Sequence, residues 1–418
     1  MNSTAPASVT DGVLRADPTE AGRSDAYLPS PAVQNHAANL MTLPGGDLAC
    51  VWFGGTQEGV ADIYVWMSVL RAGSDTWSKP EQLSDDSTRS EQNPILFPTP
   101  TGDLWLLYTA QRAGNQDTAE VRRRISTDGG NTWTASETLL PATETGGVFV
   151  RQPVTVLPSG RWLLPVFHCV SVPGQKWVGD LDTSAVMISD DQGNSWQEAP
   201  VPDSTGCVHM NIHPLTDGSL LALYRSRWAD FIYESRSTDD GASWSAPVPT
   251  ELPNNNSSIQ YVPLADGRLA LVYNHSSAAD ATARRLSLYD EIDDDGLAPT
   301  TPDAAAAPPP PVADTSTDGA RTAFWGAPRA PMTLAVSADG GRSWPVRRDL
   351  EQGDGYCLTN NSRDGLNREL SYPSIHQSPD GVLHVAYTHF RQAIRYVRIE
   401  PAAWIGTPAA GANGASAS

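Results

Sequence analysis

Six times along this chain a polar turn carrying glycine leads into a run of apolar residues. The six segments are LPGGDLACVW from Leu43, TPTGDLWLLYT from Thr99, LPSGRWLLPVF from Leu157, LTDGSLLALYR from Leu215, LADGRLALVYN from Leu264 and SPDGVLHVAYT from Ser378. Each pattern predicts a β-hairpin, with the turn glycine supplying the positive φ that such turns need. The run after the turn is apolar on both faces, which predicts a buried inner strand. No long stretch shows helical period. The turn glycines Gly46, Gly102, Gly160, Gly218 and Gly267 lie 56, 58, 58 and 49 residues apart, and Gly381 follows after 114. That last gap holds a foreign Ala/Pro-rich segment, about residues 293–320, and removing it with its flanks brings the gap near one repeat. A repeat of roughly 50 residues with several strands each predicts an all-β chain folded as a six-bladed propeller of four-stranded antiparallel blades. The expected boundaries are a disordered segment over 1–25, one propeller over 26–405 with the low-complexity loop at 293–320, and a disordered tail over 406–418.

A second repeat runs alongside the first. STDGGNTW (Ser126 to Trp133) recurs as SDDQGNSW from Ser189, STDDGASW from Ser237 and SADGGRSW from Ser337, and SVLRAGSDTW (Ser68 to Trp77) is a degenerate copy. Ser and Asp can bond the backbone of their own turn, Gly takes a conformation costly for other residues, and Trp can fold back on the blade. The octets are therefore expected to staple turns between outer strands rather than to carry chemistry.

Charge then narrows the function. The formal net charge is −20 and the sequence pI about 4.6, opposite to what a nucleic-acid binder needs. An acidic substrate would need a locally basic pocket, and the positive charge is nearly all Arg, with Lys only at positions 79 and 176. Cys50, Cys169, Cys207 and Cys357 form no CxxC pair, so zinc and redox motifs are unsupported. DEIDDDG (Asp290 to Gly296) lacks the alternating ligands and closing Glu of a calcium loop. No metal or cofactor is expected. The N-terminal stretch has no apolar core of a signal peptide and no run approaches a membrane span, so the cytoplasm is the expected location and no membrane partner is expected. Oligomeric state is not readable.

The octets resemble the Asp-boxes of the sialidase superfamily, a six-bladed propeller family, over roughly Asn35 to Arg398. The layout with WFGGTQEG (Trp52 to Gly59) is similar to the subfamily described as predicted neuraminidase. That resemblance implies an arginine triad for a substrate carboxylate, a Tyr nucleophile with a Glu partner, and an Asp acid/base. Arg225, Arg329 and Tyr372 occupy positions matching three of these roles. His36 stands where the first triad Arg is expected. His209, Asn211 and His213 stand where the Glu partner is expected, and Glu58 and Asp62 fall in the loop expected to hold the acid.

The catalytic candidates are thus His36, Glu58, Asp62 and Tyr372, with Glu369 or a His as the base a phenol would need. Substrate-binding candidates are Arg151, which precedes another inner strand and could replace the missing Arg, with Arg225, Arg329, Arg391, Gln92 and Asn274. His209, Asn211 and His213 alternate along one strand and are expected on one face. Three functions fit a glycan partner. The first is an exo-acting sialidase-like glycoside hydrolase cleaving a terminal acidic sugar. The second is a lyase working by β-elimination next to a uronic acid with Arg, His and Tyr. The third is a non-catalytic glycan-binding propeller.

Overall fold

The computed structural model describes residues 9–285, 287–288, 292–293, 296–297 and 321–400. Six antiparallel sheets form the blades of a propeller. Their innermost strands are Gln34–Thr42, Ser90–Pro98, the split pair Gly146–Phe149 and Thr155–Val156, Cys207–Pro214, Gln260–Pro263 and Leu370–Gln377. The second strands are Leu48–Gly55, Leu104–Arg112, Trp162–Val170, Leu220–Ser226, Leu269–Asn274 and Leu383–His389. One 3-10 turn, Ala278–Asp280, is the single helical element among the described residues. No helix there is long and apolar enough to cross a membrane.

The apolar runs are these second strands, one place further from the axis than the sequence suggested. Side chains alternate across a strand, and both faces of a second strand are covered by neighbouring blades. Leu104 and Leu106 pack with blade one, whereas Trp105 and Leu107 pack with blade three. Leu221 and Leu223 likewise meet blade five while Leu220 and Ala222 meet blade three. The core is therefore a ring of six inter-blade layers. The innermost strands face the axis instead and carry the polar residues, among them His36, Gln92, Asn93, His209 and Ser371, all buried.

The octets join third to fourth strands in blades two to five, at the end of the axis where the glycine turns lie. In the first of them Ser126 donates to Asp128 at 2.8 Å, Gly130 N–H donates to Ser126 at 2.8 Å, and Thr132 donates twice to the Asp128 carboxylate. The same pattern recurs at Asp191, Asp239 and Asp339. The octet glycine also packs against a neighbouring blade. A Cβ on Gly193, at φ +81°, would meet the Trp105 ring at 2.3 Å. Gly193→Ala is expected to cost about 2–5 kcal/mol, combining left-handed strain with overpacking. Gly46 has a similar φ of +88° with open space around it, so Gly46→Ala should cost only the strain, about 1–2 kcal/mol. Equal shifts in the two urea midpoints would remove the packing argument.

Residues 9–25, expected outside the propeller, are part of it. Arg23–Tyr27 pairs antiparallel with Ala393–Ile399 as the fourth strand of blade six, and Arg15–Ala16 adds a short fifth. Asp25 holds this seam by accepting from Arg23 at 2.9 Å and Arg395 at 3.3 Å, and Arg395 also reaches Glu351 at 2.8 Å. RSDAY carries no apolar run or alternation, which hid a strand in which only Arg23 and Ala26 are buried. Of the low-complexity segment over 293–320, residues 294–295 and 298–320 lie outside the described residues, as does the tail over 406–418.

Candidate functional site

The innermost strands begin at the opposite end of the axis from the octets, and four of them break their ladder there. Pairing skips between His36 and Asn39, Gln92 and Ile95, Val208 and Asn211, and Ser371 and Ser374. Inside each break one residue is left-handed: Ala37 (φ 61°), Asn93 (51°), His209 (55°) and Tyr372 (50°). A bulge of this kind re-aims a side chain. Asn256 (φ 58°) precedes the innermost strand of blade five. The bulge also corrects the expectation that His209, Asn211 and His213 share a face. His209 turns to the axis and packs 5.6 Å from Tyr372, while Asn211 accepts from Tyr261 N–H of blade five at 2.7 Å and His213 stacks edge-on to Tyr261.

Tyr372 is the centre of the arrangement. The His36 ring lies 4.3 Å from its ring. Arg225 donates from Nη1 to its phenol oxygen at 2.5 Å and from Nε to Asn256 Oδ1 at 2.8 Å. A network of opposite charges lies beside it. Glu369 Oε1 accepts from Arg329 at 3.1 Å and forms an ion pair with Arg391 at 3.0 Å, and Arg391 donates to Glu58 at 2.5 Å. Ser371 and Asn367 donate to the same Glu369 carboxylate. All of these groups are buried.

Burial works to raise the Glu369 carboxyl, but Arg391, Arg329 and their neighbours overcome it and hold the group well below the usual carboxylate range. Burial first, and then the positive Arg391 and Arg225 respectively, keep His36 and His209 far below the usual imidazole range, so both are neutral at pH 7. His36 Nδ1 shares a 2.8 Å hydrogen bond with Thr388, while His36 Nε2 and His209 Nδ1 have no partner among the described residues. Arg329 and Arg391 are matched by Glu369 and Glu58, and Arg227 by Asp182 at 2.6 Å. Arg151 and Arg225 have no carboxylate partner among the described residues, and burial pushes Arg225 down to about 9.

The other predicted residues divide by what already occupies them. Arg151 is committed to the scaffold. It donates to the carbonyls of Ala37, Ala38, Tyr372 and Pro373 and to Ser258, tying four blades together beneath Tyr372. Asn274 donates to the Pro331 and Leu370 carbonyls, and Asp62 is bound by Thr56 through its side chain and N–H. Arg391 and Glu58 meet each other. His36, Arg225, Arg329 and Tyr372 come together as one cluster. Thr388 was missed, and Glu369 was weighed only as a base for Tyr372. The missed signal is an offset: Ala37, Asn93, His209 and Tyr372 each stand nine residues before the turn glycines Gly46, Gly102, Gly218 and Gly381. Trp325, over Arg225 at 5.8 Å, is a further contributor with no such signal.

A six-bladed propeller with Asp-box turns and a buried Arg/Tyr cluster at one end of the axis defines a sialidase-like propeller. Residues 46–385 match the BNR repeat-like domain model, and the chain belongs to that family. No curated protein matches it. Among solved structures it is similar to the intramolecular trans-sialidase from Ruminococcus gnavus in complex with oseltamivir carboxylate. That match has 13% identity over 94% of this chain and 100% of that one, with a TM-score of 0.62. A protein of unknown function from Dyadobacter fermentans is 16% identical over 91% and 99% of the two chains, at a TM-score of 0.63. Hadza microbial sialidase Hz136 is 12% identical, at a TM-score of 0.61, over 88% of this chain, which spans 66% of that protein's length. At these identities the likeness shows the fold alone.

Proposed function

We propose that this chain is a carbohydrate-active enzyme that cleaves a glycosidic bond beside a carboxylate-bearing sugar by β-elimination. The observation that carries this reading is the protonation chemistry of the cluster. Both carboxylates within it, Glu58 and Glu369, are bound by arginine, whereas Tyr372 is flanked by two neutral imidazoles. Arg225 neutralises the substrate carboxylate, which acidifies the hydrogen on the adjacent carbon. His209, the less enclosed imidazole, takes that proton. Electrons move into a new C4–C5 double bond, the C4–O bond breaks, and Tyr372 protonates the departing oxygen. The acidic envelope of the chain makes this basic pocket the place where an anionic glycan is held.

A second reading is hydrolysis of a terminal acidic sugar, with Tyr372 attacking the anomeric carbon. It is favoured by the sialidase-like placement of Arg225, Arg329 and Tyr372 and by the sialidases among the similar structures. Mass detection of products separates the two. Elimination yields fragments that sum to the substrate mass, one of them absorbing in the ultraviolet through its new conjugated double bond. Hydrolysis adds one water, labelled when the reaction is run in heavy-oxygen water. Uronate-containing glycans and sialosides are the substrates to screen, and Tyr372→Phe is expected to slow turnover by about 100-fold or more. Labelled, non-absorbing products would overturn elimination. Binding without product on any glycan would leave only a glycan-binding propeller.

A further inference from the structure

We propose that Gln92 and Asn93 of blade two form a neutral, hydroxyl-reading subsite across the axis from Arg225, so that the site holds an acidic sugar on blades four to six and a neutral sugar on blade two. This rests on the reading of Arg225 as a carboxylate binder.

Position is the first argument. Asn93 has the same place in its blade as Tyr372 and His209 have in theirs. Each follows the last regular pair before the break, Gln92 with Thr109, Ser371 with Thr388, and Val208 with Arg225. Their φ angles agree within 5°, at 51°, 50° and 55°. The rings of Tyr372 and His209 meet over the axis, and the shared geometry turns the Asn93 amide into the same space. Blade two stands opposite blade five in a ring of six, and blade five supplies Asn256, the partner of Arg225. Arg151 ties Tyr372 and Pro373 to blade three from the other side of the cluster. Ala37, the equivalent residue of blade one, has only a methyl group, packed with Phe53, Ile63 and Tyr372.

Unmet hydrogen bonding is the second argument. Gln92 is fully buried and Asn93 is 5% exposed, yet Gln92 Oε1 and Asn93 Oδ1 have no partner among the described residues. Gln92 Nε2 donates to Ser90 at 2.9 Å, which fixes the amide with its oxygen free. Buried amide oxygens are nearly always bonded, and leaving them bare weakens a fold. Asparagine also tolerates the left-handed backbone better than most residues, so the site presents an amide there at low strain. Two neutral acceptors, with a free amide N–H₂ on Asn93, match sugar hydroxyls, each both donor and acceptor. They offer nothing to a second carboxylate.

The test compares three probes by calorimetry: methyl glucuronide, and two disaccharides joining glucuronate to galactose, one in each order. One disaccharide is expected to bind the full-length protein at least tenfold more tightly than methyl glucuronide. Asn93→Gly keeps the backbone conformation and removes the amide. It should erase most of that advantage while changing methyl glucuronide affinity less than twofold. Gln92→Leu should act in the same direction. An equal loss on all probes, or a disaccharide advantage untouched by Asn93→Gly, overturns the subsite. Arg225→Met tests the carboxylate reading separately. If that variant still binds methyl glucuronide normally, the underlying reading fails, whatever Asn93 does.

Discussion

Arg225→Met is expected to weaken binding of an acidic sugar by about 100- to 1,000-fold with little loss of stability. A carboxylate held by charge-assisted hydrogen bonds gains about 1.5–3 kcal/mol from each, and a guanidinium offers two in parallel. Removing Arg225 leaves only neutral partners behind, the Tyr372 phenol and the Asn256 amide. It also relieves a buried cation that no carboxylate among the described residues balances, so the two effects on folding offset to within about 1–2 kcal/mol. Arg225→Lys keeps the charge but loses the fork and should bind at an intermediate level. The measurements are calorimetric affinity and the thermal midpoint. Unchanged affinity would sink the carboxylate assignment, and a collapsed midpoint would make Arg225 a structural group.

Arg391→Met should do the reverse, destabilising the protein by about 3–5 kcal/mol, because it strands buried negative charge. Glu58 loses its 2.5 Å partner and Glu369 loses one of two arginines. The double variant Arg391→Met with Glu58→Gln should recover part of the loss. The pH dependence has a definite sign. The folded Glu369 carboxyl titrates well below its ordinary 4.5, so the stability it contributes is full above that value and is lost as pH falls beneath it. The gap between wild type and Arg391→Met, read as urea midpoints, should therefore narrow in acid. A gap that stays constant as the pH falls from neutral to about 2 would mean the network does not carry the effect.

The architecture was legible because propeller blades repeat, and a repeat announces itself through spacing. The octets marked turns, and the glycine turns marked strand ends. What the sequence obscured was depth, the distance of each strand from the axis. An apolar run signals burial without saying which neighbours do the burying, so the second strands read as innermost ones. The site was half legible. Arg225, Arg329 and Tyr372 sit at fixed offsets from the turns. Arg151 looked equivalent, but its partners are four backbone carbonyls and the Ser258 hydroxyl, and no pattern of side chains encodes a carbonyl's position. Glu369 drew attention only as a base for its neighbour Tyr372, since its partners Arg329 and Arg391 are remote in sequence. His209 illustrates the last difficulty: strict alternation fails wherever a bulge intervenes, and bulges gather where function needs a side chain re-aimed.

The seam in blade six has a consequence for synthesis. Asp25 and Arg395, which meet there, are 370 residues apart in the chain. At about 5–20 residues per second on a ribosome, the first strand waits roughly 20–75 s for its partner. During that interval it is a bare edge, open to any other chain. Its alternating charges, Arg23 and Asp25, are the kind that discourage stray pairing. The waiting strand is polar enough to stay alone and specific enough to be claimed by Arg395, and the ring closes with the last blade to be made.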